Sequence, residues 1–265
     1  MYARWCNNLQ KKQITKERKR QLYEEVKPIA QKARDSIMEK NLVIKDSFEI
    51  LEQQGFFIVG FPAKDNELSG FHVNKEGIHF IYINTGQDLG RQYFSLWHEY
   101  YHIYTGEQSN VSLSANRKID EVEYKAECFA GCILMPDYLV EQYLIENFID
   151  LKRLSQIQLI KMFTYFGVSY NAMLSRLIQL YPMYDNLNML FGLSTSNKRR
   201  KEFVDKIRFN KGNDQLVHPT NKLYISTQFF EDLKYNIEND RISEEKATDI
   251  INMLNGMETY SASRN

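Results

Sequence analysis

Two histidines and a glutamate stand together at His98-Glu99-Tyr100-Tyr101-His102. On a helix, residues four apart share a face, so the two imidazoles would point the same way about one turn apart. That geometry suits two neutral imidazoles on one tetrahedral Zn²⁺, with Glu99 beside them to take a proton from the metal's water. A catalytic zinc takes a third protein ligand and keeps a fourth position for water. The next acidic stretch, Lys118 to Pro136, offers Glu123 and Glu127, again four apart and on one face. Spacing allows either to touch the metal, while the other would fix a ligating histidine through its ring N–H. Glu127 borders the apolar run Cys128 to Met135 and needs a hydrogen-bond donor there, whereas Glu123 stands one turn further out. Tyr100, Tyr101, Tyr104 and His218 are unranked candidates for stabilising an oxyanion.

These residues need a helix to carry them. The run Gly90 to Gly106 has no proline, follows Asp88 as a candidate N-cap, and ends on a glycine suited to a left-handed C-terminal residue. Upstream, Phe56 to Phe61, Gly70 to Val73 and Ile78 to Ile83 read as strands, bounded by Pro62 and Gly77. The segment Gly77 to Asn84 is the candidate edge strand that could pair with an extended substrate. His72 and His79 are expected as ordinary strand positions, since two histidines and a carboxylate already complete a catalytic zinc's protein ligands. Residues 107–117 are expected as a loop at the mouth of the site.

The combination Phe94-Ser-Leu-Trp-His-Glu-Tyr-Tyr-His102, Glu123-Tyr-Lys-Ala-Glu-Cys-Phe-Ala130 and Ile133-Leu-Met-Pro136 resembles the ImmA/IrrE family of zinc metallopeptidases, as do Leu68-Ser-Gly-Phe71 and Ile81-Tyr-Ile-Asn84 upstream. The resemblance covers about residues 25 to 180 and is far more specific than the pentapeptide alone. It implies an α+β fold with a zincin-like metallopeptidase core, a small sheet with a helix carrying the His-Glu-x-x-His motif. It implies Zn²⁺ as cofactor, His98, His102 and Glu123 as its ligands, and Glu99 as the catalytic base. The third ligand follows because the family's metal glutamate stands three residues before an alanine, here Glu123 before Ala126. At Glu127 the chain departs from the asparagine or aspartate common in the family, and that residue is expected in support of a ligand. The implied activity is regulatory cleavage of a helix-turn-helix transcriptional repressor. The rival reading is a non-catalytic, zinc-bound regulatory or interaction protein, which would have no use for a base at Glu99.

Composition narrows the classes. The chain has 265 residues and equal numbers of basic and acidic groups, 34 each, so it carries no net attraction for a polyanion, and nucleic-acid binding is not expected. Residues 154–181 have a helix-turn-helix outline, but Arg176 is the sole positive charge of its second helix, too few for a major-groove reader. The first residues lack the apolar core of a secretory signal, and no window of about 18 residues is free of charge, so a cytoplasmic protein without a membrane span is expected. Cys6, Cys128 and Cys132 are too few for a disulfide framework, and the last two are expected as buried thiols.

The expected organisation is a basic lead-in over 1–24, a metallopeptidase domain over 25–181, a linker over 182–222 and a helical C-terminal module over 223–265. Gly192, the Ser194 to Asn197 tract and Gly212-Asn-Asp214 suggest the linker, with one short helix inside it at Lys201 to Phe209. Ser243, followed by Glu244 and Glu245, reads as the cap of the last helix.

Overall fold

Leu22, Val26, Ala30 and Ala33 recur at helical spacing, and in the computed structural model they form the buried stripe of helix α1 (Lys16–Ile37), capped by the Thr15 hydroxyl on Arg18 N. Residues 14–64, 67–107, 112–113, 121–191 and 197–263 are described. Cys6, the first part of the basic lead-in and most of the loop expected over 107–117 lie outside them. Helix α1 runs unbroken across residues 24 and 25, and its stripe packs on helix α4 (Glu121–Leu134). A second short helix, α2 (Ser47–Gln53), starts from the Asp46 carboxylate, which accepts from Phe48 N and Glu49 N.

Among the described residues five strands form one mixed sheet: β1 (Phe57–Phe61), β2 (Leu68–Lys75), β3 (Ile78–Asn84), β4 (Ser112–Leu113) and β5 (Tyr224–Ile225), in the order β4-β2-β3-β1-β5. Only the β1–β3 pair is parallel. Glu76 and Gly77 turn the β2–β3 hairpin with φ of 55° and 86°, the left-handed pair that a two-residue hairpin loop needs. Strand β3 therefore lies inside the sheet, paired with β2 on one side and β1 on the other, which overturns the expectation that it is an edge. Its backbone groups are spent within the sheet.

The sheet has two apolar faces. Ile58, Ile81 and Ile83 point into the main core with the helices. The opposite face is aromatic, with Phe57 against Phe80 and Tyr82 against both Phe61 and Phe71. Phe229, from helix α9 (Thr227–Glu238), packs edge-on to Phe57, its ring centre 5.7 Å away. Residues 223–263 are thus tied to the sheet: β5 extends it, Ser226 Oγ accepts from Ile58 N at 2.7 Å, and α9 leads into helix α10 (Glu244–Ala262), whose N-cap is the expected Ser243.

Helices α3 (Leu89–Thr105), α5 (Asp137–Glu146), α6 (Gln156–Phe166) and α7 (Tyr170–Leu180) complete the helical layer. The helix-turn-helix outline is α6 and α7, and Arg176 is buried within it, donating to Met135 O and Asp137 Oδ1. The described residues of 182–222 pack more closely than a linker would. Leu187, Leu216 and Val217 belong to the same core as the metallopeptidase helices, together with Phe203, Val204 and Ile207 of helix α8 (Asn197–Phe209). Among the described residues no helix is long and apolar enough to cross a membrane.

Candidate metal centre

Helix α3 is fixed at both ends. At its start, Leu89 N donates to His218 O at 2.9 Å, and Gln92 Nε2 donates back to Gln87 O at 2.6 Å. Asp88 is the N-cap by position, but its carboxylate makes no capping bond and instead accepts from Arg200 at 2.7 Å. Burial raises the Asp88 pKa above its ordinary value even beside that cation. Gly90 lies against the Val168–Ser169 backbone so closely that a Cβ there would stand 2.6 Å from Ser169 N. At the far end Gly106 adopts φ 71° and its N–H closes on His102 O, as the sequence predicted.

This helix and α4 bring three ligand groups to one point. His98 Nε2 and His102 Nε2 are 3.4 Å apart. Glu123 Oε2 is 3.2 Å from His98 Nε2, and Glu123 Oε1 is 3.7 Å from His102 Nε2. Zinc bonds to imidazole and carboxylate measure about 2.0 to 2.2 Å, so the edges of a tetrahedron around the ion would be about 3.3 to 3.6 Å. The donor set and its spacing thus fit a tetrahedral cation. Among the described residues, this trio is the group whose ligand atoms converge in this way. Burial, then the neighbouring His98, lowers the pKa of His102, which favours the neutral ring that a metal requires.

Behind His102, its Nδ1 stands 2.9 Å from the backbone oxygen of Glu107. This contact selects the tautomer that turns Nε2 toward the trio. The Glu107 side chain is itself held, accepting from Tyr101 Oη at 2.8 Å and pairing with Lys125 at 3.4 Å. The sequence pointed to a carboxylate on α4 as the orienting group and missed Glu107. The signal was the glycine one residue earlier, because a left-handed Gly106 turns the chain back over the last helical turn. Glu127 lines a small cavity together with His98, Glu99, Ser69, Arg91, Phe94 and Ser95, beside the ligand trio.

Glu99 is only 2% exposed, and its Oε2 meets His72 Nδ1 at 3.0 Å. The sequence treated His72 as an ordinary strand residue. Its register was the missing information: His72 pairs with Ile81, so it shares the helix-facing side of the sheet. His79 shares that side too, but it sits against Phe56 and Asn74.

The four oxyanion candidates lie away from the trio or are engaged. Tyr100 packs edge-on against Phe56 and Trp97, and burial pushes its hydroxyl up to about 12. Tyr101 is committed to Glu107, and Tyr104 stacks against Tyr100 and Phe129. His218 adjoins Asp88, ten residues and so about 15 Å along the helix from His98. Cys128 and Cys132 are buried thiols, as expected, and burial pushes Cys128 up to about 12.

The geometry agrees with a comparison of sequences. The family described as IrrE N-terminal-like domain, Peptidase M78, matches residues 51–177. That span holds β1 to β4, α3, α4 and all three converging residues, and the family carries a metallopeptidase-type function on a zincin-like fold. No curated protein matches the chain. Over residues 51–177 the chain thus carries an IrrE N-terminal-like domain, which supports an ImmA/IrrE-family protein.

Proposed function

We propose that the protein is a zinc-dependent endopeptidase that cleaves a helix-turn-helix transcriptional repressor, with His98, His102 and Glu123 as the metal ligands and Glu99 as the base. The observation that carries this reading is the convergence of the three ligand atoms within 4.8 Å, with the buried Glu99 beside them on the same helix. Bound there, zinc would supply an acidified water and a polarised scissile carbonyl. The remaining work falls to the chain. Glu99 takes the proton of the attacking water on its carboxylate and passes it to the departing amine. Glu107 keeps His102 in the ligating tautomer, and burial keeps that ring neutral. Support for the repressor as substrate comes from the likeness to ImmA/IrrE proteins.

The test is Glu99→Gln in the zinc-loaded protein, incubated with helix-turn-helix repressors encoded nearby and followed by mass spectrometry of fragments. Glutamine keeps the shape but cannot take the proton, so cleavage should fall by about 10² to 10⁴ while zinc content stays. Equal cleavage by the variant would end the mechanism. Binding of repressor without any cut by the wild-type protein would transfer the weight to a non-catalytic regulatory role.

A further inference from the structure

We propose that His72 is a positioning residue for the base: its Nδ1–H holds one oxygen of Glu99, so that the other oxygen faces the attacking water. This rests on the peptidase reading above. The contact joins residues 27 apart in the chain, at 3.0 Å, and it is made possible by Gly70. A Cβ on Gly70 would stand 2.8 Å from Tyr82 O and 3.6 Å from Glu99 Cγ, so β2 runs close beside the Glu99 side chain. Two residues further along the same face, the His72 ring reaches over α3. There it lies nearly parallel to the His102 ring, 14° between planes and 5.7 Å between centres. It is thus braced on one side by a ligand ring and aimed at the base by its Nδ1.

The two oxygens of a carboxylate are equivalent, so what decides whether a lone pair faces the water is the angle of turn about its last bond. A donor fixed to one oxygen, here Oε2, sets that angle. Oε1 is then the atom that accepts the proton, and it returns that proton to the leaving amine without reorienting. A misplaced general base loses rate without losing substrate, because its contact matters only as the water's proton moves. The signature is therefore a fall in kcat with KM nearly unchanged.

Two measurements test this. In metal-free protein carrying ¹⁵N-histidine, long-range proton–nitrogen spectra should give His72 as the Nδ1–H tautomer, its signals assigned by their loss in His72→Asn. Glu99→Ala should remove that preference. An Nε2–H tautomer in the wild-type protein, or one indifferent to Glu99→Ala, overturns the proposal. In the zinc-loaded enzyme with a cleavable repressor, His72→Ala should lower kcat by roughly 10- to 100-fold at similar KM. His72→Asn, whose amide nitrogen can stand where Nδ1 stood, should recover most of it. Full activity in His72→Ala, or no recovery in a folded His72→Asn, overturns the role. A wild-type protein that cuts nothing defeats the peptidase reading and this role with it, whereas the tautomer still decides the contact.

Discussion

The ring of His102 is held from behind by the backbone of Glu107, whose carbonyl oxygen lies 2.9 Å from Nδ1. The carbonyl is delivered by the turn at Gly106, and that turn depends on a φ of 71° that an L side chain adopts at a cost of about 1 to 2 kcal/mol. Gly106→Ala should therefore weaken metal affinity by about 10- to 100-fold, the usual effect of losing an orienting partner. A chelator-competition titration would measure it. Unchanged affinity in a protein that is merely less stable would show that the carbonyl does not orient the ring.

The two carboxylates of α4 have different expected effects. Glu123→Ala removes a group within 3.2 Å of His98 Nε2, and zinc binding should be lost severely. Glu127→Ala, which changes the wall of the adjoining cavity, should weaken binding by about 10- to 100-fold at most. Parallel metal titrations compare them. If Glu127→Ala empties the site and Glu123→Ala does not, the two roles are exchanged.

The parts of this site that lie close in sequence could be read there, and the parts made by distant chain segments could not. His98 and His102 are neighbours on any helix, and Asp88 and Gly106 mark that helix's ends by chemistry alone. The strands announced themselves through runs such as Ile78 to Ile83. Sheet order is a different matter, because periodicity says which residues share a face but not which strand lies alongside. Hence β3 looked free to serve as an edge, and His72 looked remote from Glu99. Residues 182–222 misled for a related reason. Phe203, Val204 and Ile207 already share a helical face, but Gly192, Gly212 and the serine tract around them spoke for a loop, and only tertiary packing, on α6 and on Tyr170 of α7, buries that face.

Gly90 sets two effects against each other. Alanine is the better helix former by about 1 kcal/mol, which argues for stabilisation. Its methyl group would meet backbone, 2.6 Å from Ser169 N and 2.7 Å from Val168 C, and backbone cannot rotate away. Overpacking typically costs about 1 to 3 kcal/mol, so Gly90→Ala should be less stable by denaturant titration. A more stable variant would mean that the turn between α6 and α7 shifts readily off α3.

Asp137 holds together three elements of the helical layer. Its carboxylate accepts from Tyr23 on α1 at 2.8 Å, from Lys27 on α1 at 2.5 Å, and from Arg176 on α7. Arg176 has a side chain only 1% exposed, against 27% for Asp137, so the arginine suffers more if the pair is broken. Removing one partner of a buried pair costs about 3 to 5 kcal/mol, and the partial exposure of Asp137 puts Asp137→Asn near the lower end, about 3 kcal/mol. Burial by itself would raise the Asp137 pKa, but the charge of Arg176 and the hydrogen bonds from Lys27 and Tyr23 outweigh it, and the net shift is downward. The sign of the pH effect follows. Below the ordinary carboxylate value of about 3.9 the unfolded chain takes up the proton first, so acid draws the equilibrium toward unfolding until the folded carboxyl is protonated as well. The stability difference between wild type and Asp137→Asn should hold steady from pH 7 to about 5 and shrink as the pH falls below about 4. Urea titrations of both proteins across that range would measure it. A difference that persists undiminished at the acid end would assign the contribution of Asp137 to shape and neutral hydrogen bonding instead of charge.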